Sequence, residues 1–187
     1  MDKQLNIFGF AGSLRAASYN RALLRTALEL MPKGASLEIF DLVGIPPYNQ
    51  ELEAVMPDQV KAFKQKIKAA DAIVIVTPEY NYSVPGVLKN ALDWASRPTG
   101  DNSFDNKPAA IMSASTGILG GARAQYHLRQ SCVFLNMHLV NKPEIFVTLA
   151  AQKFDDKGNL TDAKTKEFIA LLLGNLVNWT RQLQAMI

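Results

Sequence analysis

The stretch D-A-I-V-I-V-T-P-E-Y-N-Y-S-V-P-G-V-L-K-N-A-L-D-W, residues 71–94, constrains the fold more than any other part of the chain. Residues 72–77 form an apolar, β-branched run of strand length. Pro78 stops it abruptly, because proline has no N–H to give a ladder and holds Thr77 extended. Val87, Leu88, Ala91, Leu92 and Ala95 recur at three and four residue spacing and predict a helix over 86–94. Between strand and helix, residues 78–85 crowd two tyrosines, a glutamate, an asparagine and a serine into one loop. Ligands in an open α/β sheet bind at the carboxyl ends of the strands, and this loop sits at such an end.

The same strand, polar loop, helix pattern recurs along the chain. Residues 5–10 read as a first strand that enters A-G-S-L-R-A-A-S-Y-N, and a helix follows from residue 20 to the Pro32-Lys33-Gly34 stop. Residues 36–40 alternate as a second strand closed by Asp41, and residues 41–57, with Gly44 and three prolines, are too broken for regular structure. Asp58 is expected at the N-cap of a helix carrying Val60, Phe63, Ile67 and Ala70 inward. A polar loop over 97–107 precedes a fourth strand at 109–114, the sequence S-T-G-I-L-G-G and a helix over 122–135. A fifth strand over 139–147 is interrupted near Pro143. The last helix, 161–186, is expected to turn Phe168, Leu171, Leu172, Leu176 and Trp179 inward. Strands alternating with helices imply a parallel sheet with right-handed crossovers, and 187 residues are expected to form one domain, 1–187.

Composition narrows the function. A formal charge of +3 with scattered basic residues does not favour nucleic acid as a partner. No apolar run approaches the roughly 20 residues needed to span a bilayer, and the start M-D-K-Q lacks a signal-peptide layout, so a cytoplasmic protein without membrane insertion is expected. Cys132 is the single cysteine and is expected as a buried helical thiol. His127 and His138 have no ligand-spaced companion and read as packing or surface residues outside the rim loops. Neither a metal site nor a Ser-His-Asp constellation is expected.

Three loops remain as chemistry. Ser13, Arg15, Ser18 and Asn20 occupy the first strand-to-helix turn, where free N–H groups and the helix dipole attract anions and a guanidinium adds charge. Alone, this loop also fits a helix N-cap at Ser18 beside a solvated arginine. No G-x-G-x-x-G or Walker pattern is present. Pro78, Glu79, Tyr80 and Asn81 offer amides beside flat aromatic surfaces, as an isoalloxazine edge requires, although tyrosines packed downward in an ordinary loop fit equally well. Glu79 lacks a nearby acid–base partner in sequence and reads as structural. Ser115, Thr116 and Gly117 provide backbone that can approach a ligand closely. All three loops fall on one rim, around the switch point of a five-stranded sheet of order 2-1-3-4-5, where flavin mononucleotide (FMN) binds in flavodoxin-like folds.

The motifs G-S-L-R-x-x-S-x-N, P-E-Y-N-x-S-x-P-G-x-L-K-N-A-x-D-W and S-T-G-x-x-G-G, in this order, resemble those of the NADPH-dependent FMN reductase family, particularly its bacterial quinone and chromate reductase branch. The resemblance covers residues 5 to about 147 without departure inside the motifs. It implies a flavodoxin-like three-layer sandwich, one non-covalent FMN, and NADH or NADPH as co-substrate. It implies that Ser13, Arg15, Ser18 and Asn20 hold the phosphate. Pro78, Glu79, Tyr80 and Asn81 then line the ring and ribityl chain, with Ser115, Thr116 and Gly117 approaching from the fourth-strand loop. Hydride chemistry would belong to FMN with no catalytic side chain, in a ping-pong cycle ending on quinones or similar acceptors such as chromate, azo compounds or free flavin. A homodimer or homotetramer is implied, with the helix bearing Leu88, Leu92 and Trp94 and the helix after Gly121 as candidate surfaces. Alternatively, Trp94 caps the monomer core. A flavodoxin-type electron carrier is the main rival, disfavoured by the basic pI near 9.0. A flavin-binding module and a dinucleotide binder using Asp41 for ribose are further rivals.

Overall fold

The computed structural model describes residues 3–186. Met1 and Asp2, which open the N-terminal reading, lie outside the described residues. The elements are β1 (Leu5–Ala11), α1 (Tyr19–Glu29), β2 (Ala35–Phe40), α2 (Asp58–Ala69), β3 (Ala72–Thr77), α3 (Gly86–Ala95), β4 (Pro108–Ala114), α4 (Ala122–Phe134), β5 (His138–Leu139), β6 (Ile145–Val147) and α5 (Ala163–Gln184). The sheet runs β2-β1-β3-β4-β5, and β6 also pairs with β4. All pairings are parallel. The expected order is therefore the observed one.

Side-chain alternation along the buried strands divides the core into two layers. Ala72, Val74 and Val76 of β3 join Ala110 and Met112 of β4 in packing against α1 and α5. Ile73 and Ile75, with Phe8 and Phe10 of β1, face α2, α3 and α4. Gly9 lets α1 settle on the sheet, since a Cβ there would meet Leu24 and Leu37 side chains at 2.9 Å.

The fifth strand is broken in two. β5 pairs with the start of β4 through Pro108↔His138, and β6 with its end through Met112↔Ile145, on either side of residues 140–144. A short 3-10 turn, Gln50–Val55, occupies part of the segment expected to be irregular. Asp58 is the first helical residue of α2 and not its cap. Pro57 takes the cap position and no side chain caps the helix, because proline's fixed φ suits a helix entry.

α5 is rotated relative to expectation. Ile169, Leu172, Leu173, Leu176 and Val177 face the core, while Phe168 and Leu171 are exposed. Leu172 and Leu176 turn inward and Trp179 packs against the core as expected, while packing against β3, β4 and α1 centres the buried face on Ile169 and Leu173. Leu88, Leu92 and Trp94 are buried within the protomer, so that face of α3 is unavailable to a partner. The Trp94 indole N–H donates to Pro46 O at 2.8 Å, which makes Trp94 a cap on the monomer core. The exposed apolar side chains of the other candidate, α4, are Tyr126, Val133 and Phe134. Cys132 is buried on α4 as expected, and burial pushes its thiol up to about 12, so it stays protonated and inert at neutral pH. Lys64 is buried beneath the 97–101 turn, where its ammonium donates to Ala95 O at 3.1 Å, Asp101 O at 2.9 Å and Arg97 O. Among the described residues no helix is long and apolar enough to cross a membrane.

Candidate active site

The loops after β1, β3 and β4 converge because their strands are neighbours and their backbones approach closely. The Gly12 amide donates to Val76 O at 2.8 Å. A Cβ at Gly12 would stand 2.9 Å from Leu88 Cβ and 3.1 Å from Pro85 Cγ, so only glycine lets the first loop lie against the entry to α3.

In the first loop the polar side chains divide into two roles. Ser18 is the N-cap of α1, its hydroxyl oxygen accepting from the Asn20 amide at 3.2 Å and the Arg21 amide at 3.4 Å. Its O–H hydrogen remains available to donate. Asn20 turns inward: its Nδ2 donates to Ala114 O at 2.9 Å and its Oδ1 accepts from the Ala114 amide at 2.8 Å. The amide side chain thus clasps the end of β4 and fixes the first loop to the third. Ser13 is nearly buried and Arg15 is exposed, its guanidinium 5.8 Å from the Tyr19 ring centroid. Among the described residues, the backbone N–H groups of residues 13–17 have no acceptor. Ahead of the α1 N-cap the loop thus offers five amides without an acceptor, two hydroxyls and the Arg15 guanidinium, a donor set whose chemistry suits an anion. They fit the terminal phosphate of FMN.

The second loop is a tight turn with Asn81 at φ 49° and Tyr82 at φ 67°, closed by reciprocal hydrogen bonds between Tyr80 and Ser83 at 3.1 and 3.0 Å. Tyr80 and Tyr82 are exposed, contrary to the packed-down alternative. Pro78 is buried beneath them. Glu79 has the structural role expected of it. Its carboxylate accepts from the Arg123 and Ala124 amides at 3.1 and 3.3 Å, capping α4, and pairs with the Arg123 guanidinium. That guanidinium lies 3.6 Å from the Tyr82 ring centroid. Its hydrogen bond to Glu79 raises the Arg123 pKa further above an already high value.

The third loop hangs from the segment after β6. Ser115 N donates to Val147 O at 3.0 Å, Ala150 N to Ser115 O at 3.0 Å, and Leu149 N to Gly117 O at 3.2 Å. The Gly117 amide is held by Ser115 Oγ at 3.1 Å, and Thr116 is exposed between them. Gly121 starts α4 at φ 88°, where a Cβ would stand 2.8 Å from that of Ser113.

Arg123, Leu149 and Ala150 escaped sequence reasoning, because no local pattern links them to the loops they support. His127 is an exposed residue on α4, as its reading as a surface histidine expects. From there its Nδ1 lies 2.9 Å from Ser83 Oγ of the second loop, a contact that no sequence pattern shows. The rim's acid, Glu79, is committed to Arg123 and completes no triad with the pair. Among the described residues no cluster of potential metal ligands occurs.

The chain is 50% identical to an NAD(P)H-dependent FMN reductase of Pseudomonas aeruginosa, over 98% of this chain and 100% of the relative. It is 47% identical to an NADPH:quinone oxidoreductase of Arabidopsis thaliana, over 96% of this chain and 94% of the relative. The structure is similar to that of FerB, a flavoenzyme NAD(P)H:(acceptor) oxidoreductase of Paracoccus denitrificans, with a TM-score of 0.87 and 34% identity, covering 95% of this chain and 98% of that one. Residues 5–152 match the NADPH-dependent FMN reductase family, and the chain belongs to that family.

Proposed function

We propose that the protein is an FMN-dependent oxidoreductase that takes hydride from NADH or NADPH and passes it to quinones. The observation that carries this reading is the cradle of free amides at residues 13–17 beside Ser13, Arg15 and Ser18, built for the phosphoryl tail of FMN. Bound there, FMN would supply the two-electron hydride chemistry. The chain's own residues bind and orient. Ser13 and Ser18 donate their hydroxyls, Arg15 supplies charge, and Asn20 shapes the cradle by clasping Ala114 in place of touching the phosphate. Pro78, Tyr80 and Asn81 line the ring, and Glu79 contributes through its backbone because its carboxylate caps α4. Ser115, Thr116 and Gly117 close the far edge. The exposed turn at Asn81 and Tyr82 leaves the outer side open to a nicotinamide and then to an acceptor, as alternation of substrates requires.

Chromate, azo compounds and free flavin follow as secondary acceptors, since a slot open to solvent with no committed acid or base selects weakly. Assembly into a homodimer or homotetramer is proposed through α4, where Val133 and Phe134 are 79% and 83% exposed on neighbouring positions. Sedimentation showing only a 20.6 kDa species would end that part. A cytoplasmic location agrees with the nicotinamide reductant and with a single, buried thiol.

Anaerobic mixing with FMN and NADPH is the test. The yellow absorbance is expected to bleach and to return on adding benzoquinone. Flavin that binds but never bleaches would leave an electron carrier or flavin-binding module, and protein that binds no FMN would remove the reading altogether.

A further inference from the structure

Between α1 and residues 151–158 lies a concavity that the proposed function does not use. It encloses about 330 Å³, the lower end of small-ligand sites at roughly 300–1,000 Å³, and shares residues 15–18 with the phosphate cradle. Its apolar lining includes the Tyr19 and Phe154 rings, with centroids 5.2 Å apart. Three cations line it as well. Arg15, Arg25 and Lys157 are exposed, and none is in an ion pair among the described residues. The Arg25 guanidinium is directed to the turn at 155–158, its Nη2 standing 3.4 Å from where a Cβ on Gly158 would be. Of the two acids in the lining, Asp155 is committed to its own turn. Its carboxylate accepts from the Asn159 amide at 2.7 Å, Asn159 Nδ2 at 2.9 Å and the Lys157 amide at 3.0 Å, which holds its pKa below the usual carboxylate value. Asp156 is exposed and has no hydrogen-bond or ion-pair partner among the described residues.

We propose that this concavity receives the adenylate half of FAD, so that the protein takes FAD as well as FMN in one site. This rests on the proposed function and widens the flavins that it can carry. Three observations support it. The first is continuity. FAD is FMN extended by an adenylate through its phosphate, and the concavity begins at residues 15–18, beside the donors assigned to that phosphate. The second is charge. FAD adds a second phosphate, the turn carries no glycine fingerprint to meet it, and Arg25 and Lys157 stand free beyond the cradle to do so. On the opposite side of α1, by contrast, Arg21 is paired with Asp41. The third is the chemistry of the remainder. Aromatic rings suit a flat base, and the unpartnered Asp156 can accept from ribose hydroxyls.

Calorimetric titration of the full, flavin-free chain with FMN and with FAD tests the concavity directly. Both flavins are expected to bind at one site per chain. Arg25→Ala and Lys157→Ala should each weaken FAD about tenfold or more, the worth of a charged hydrogen bond, and leave the affinity for FMN unchanged. Both side chains are exposed, so thermal unfolding of the variants should match that of the parent protein. Amide NMR shifts at residues 154–158 should distinguish the FAD complex from the FMN complex. FAD that fails to bind, FAD affinity unmoved in both variants, or identical shifts at 154–158 with the two flavins would overturn the proposal. Protein that binds FMN and rejects FAD loses only this inference; protein that binds neither loses the function beneath it.

Discussion

In the loop after β1, side chains are spent on the protein and backbone is left free. Ser18 caps α1, Asn20 clasps β4, and the amides of residues 13–17 have no acceptor among the described residues. In the loop after β3 much of the backbone is spent, closed on itself between Tyr80 and Ser83, and the tyrosine side chains face outward. The first arrangement offers fixed dipoles that need no ordering when an anion arrives, so binding energy concentrates there. The second offers adaptable aromatic surface, suited to partners that come and go. Under the proposed function, this division would hold the cofactor by its tail and leave its ring exposed.

The comparison can be broken by substitution on either side. Asn20→Ala should have the largest effect. It leaves the Ala114 amide and carbonyl unpaired in a buried site and should destabilise the fold by about 2–4 kcal/mol in urea unfolding. Arg15→Ala should weaken FMN binding by about 1.5–3 kcal/mol in a fluorescence titration, with unfolding unchanged because the residue is exposed. Glu79→Gln should cost about 0.5–2 kcal/mol of stability through the weakened cap on α4, with less loss of FMN affinity than Arg15→Ala. Tyr82→Ala should leave stability and FMN affinity essentially unchanged and alter the KM for the acceptor instead. If Tyr82→Ala released FMN more readily than Arg15→Ala, the division of labour between the loops would be wrong.

The sheet was legible because the buried strands are short apolar runs, β-branched and stopped hard by Pro78 in β3, and because polar loops recur after strands one, three and four. The candidate site was legible in its loops and not in its supports. Nothing near Asn20 in sequence shows that Ala114, 94 residues away, will engage both its Nδ2 and its Oδ1. Glu79 with Arg123 and Ser83 with His127 are each 44 residues apart, and such pairs leave no local periodicity. The phase of α5 was misread for a related reason: Phe168 and Leu171 are as apolar as Ile169 and Leu173, and only the surface they meet distinguishes them.

The suspension of the Ser115 to Gly117 loop from Leu149 and Ala150 has a consequence for transplanting chemistry between relatives. The height at which Thr116 is presented is inherited from a segment outside all three motifs. Exchanging motif residues alone would therefore carry over the loop's side chains but not their placement. A graft that respects function has to include residues 147–150 as well.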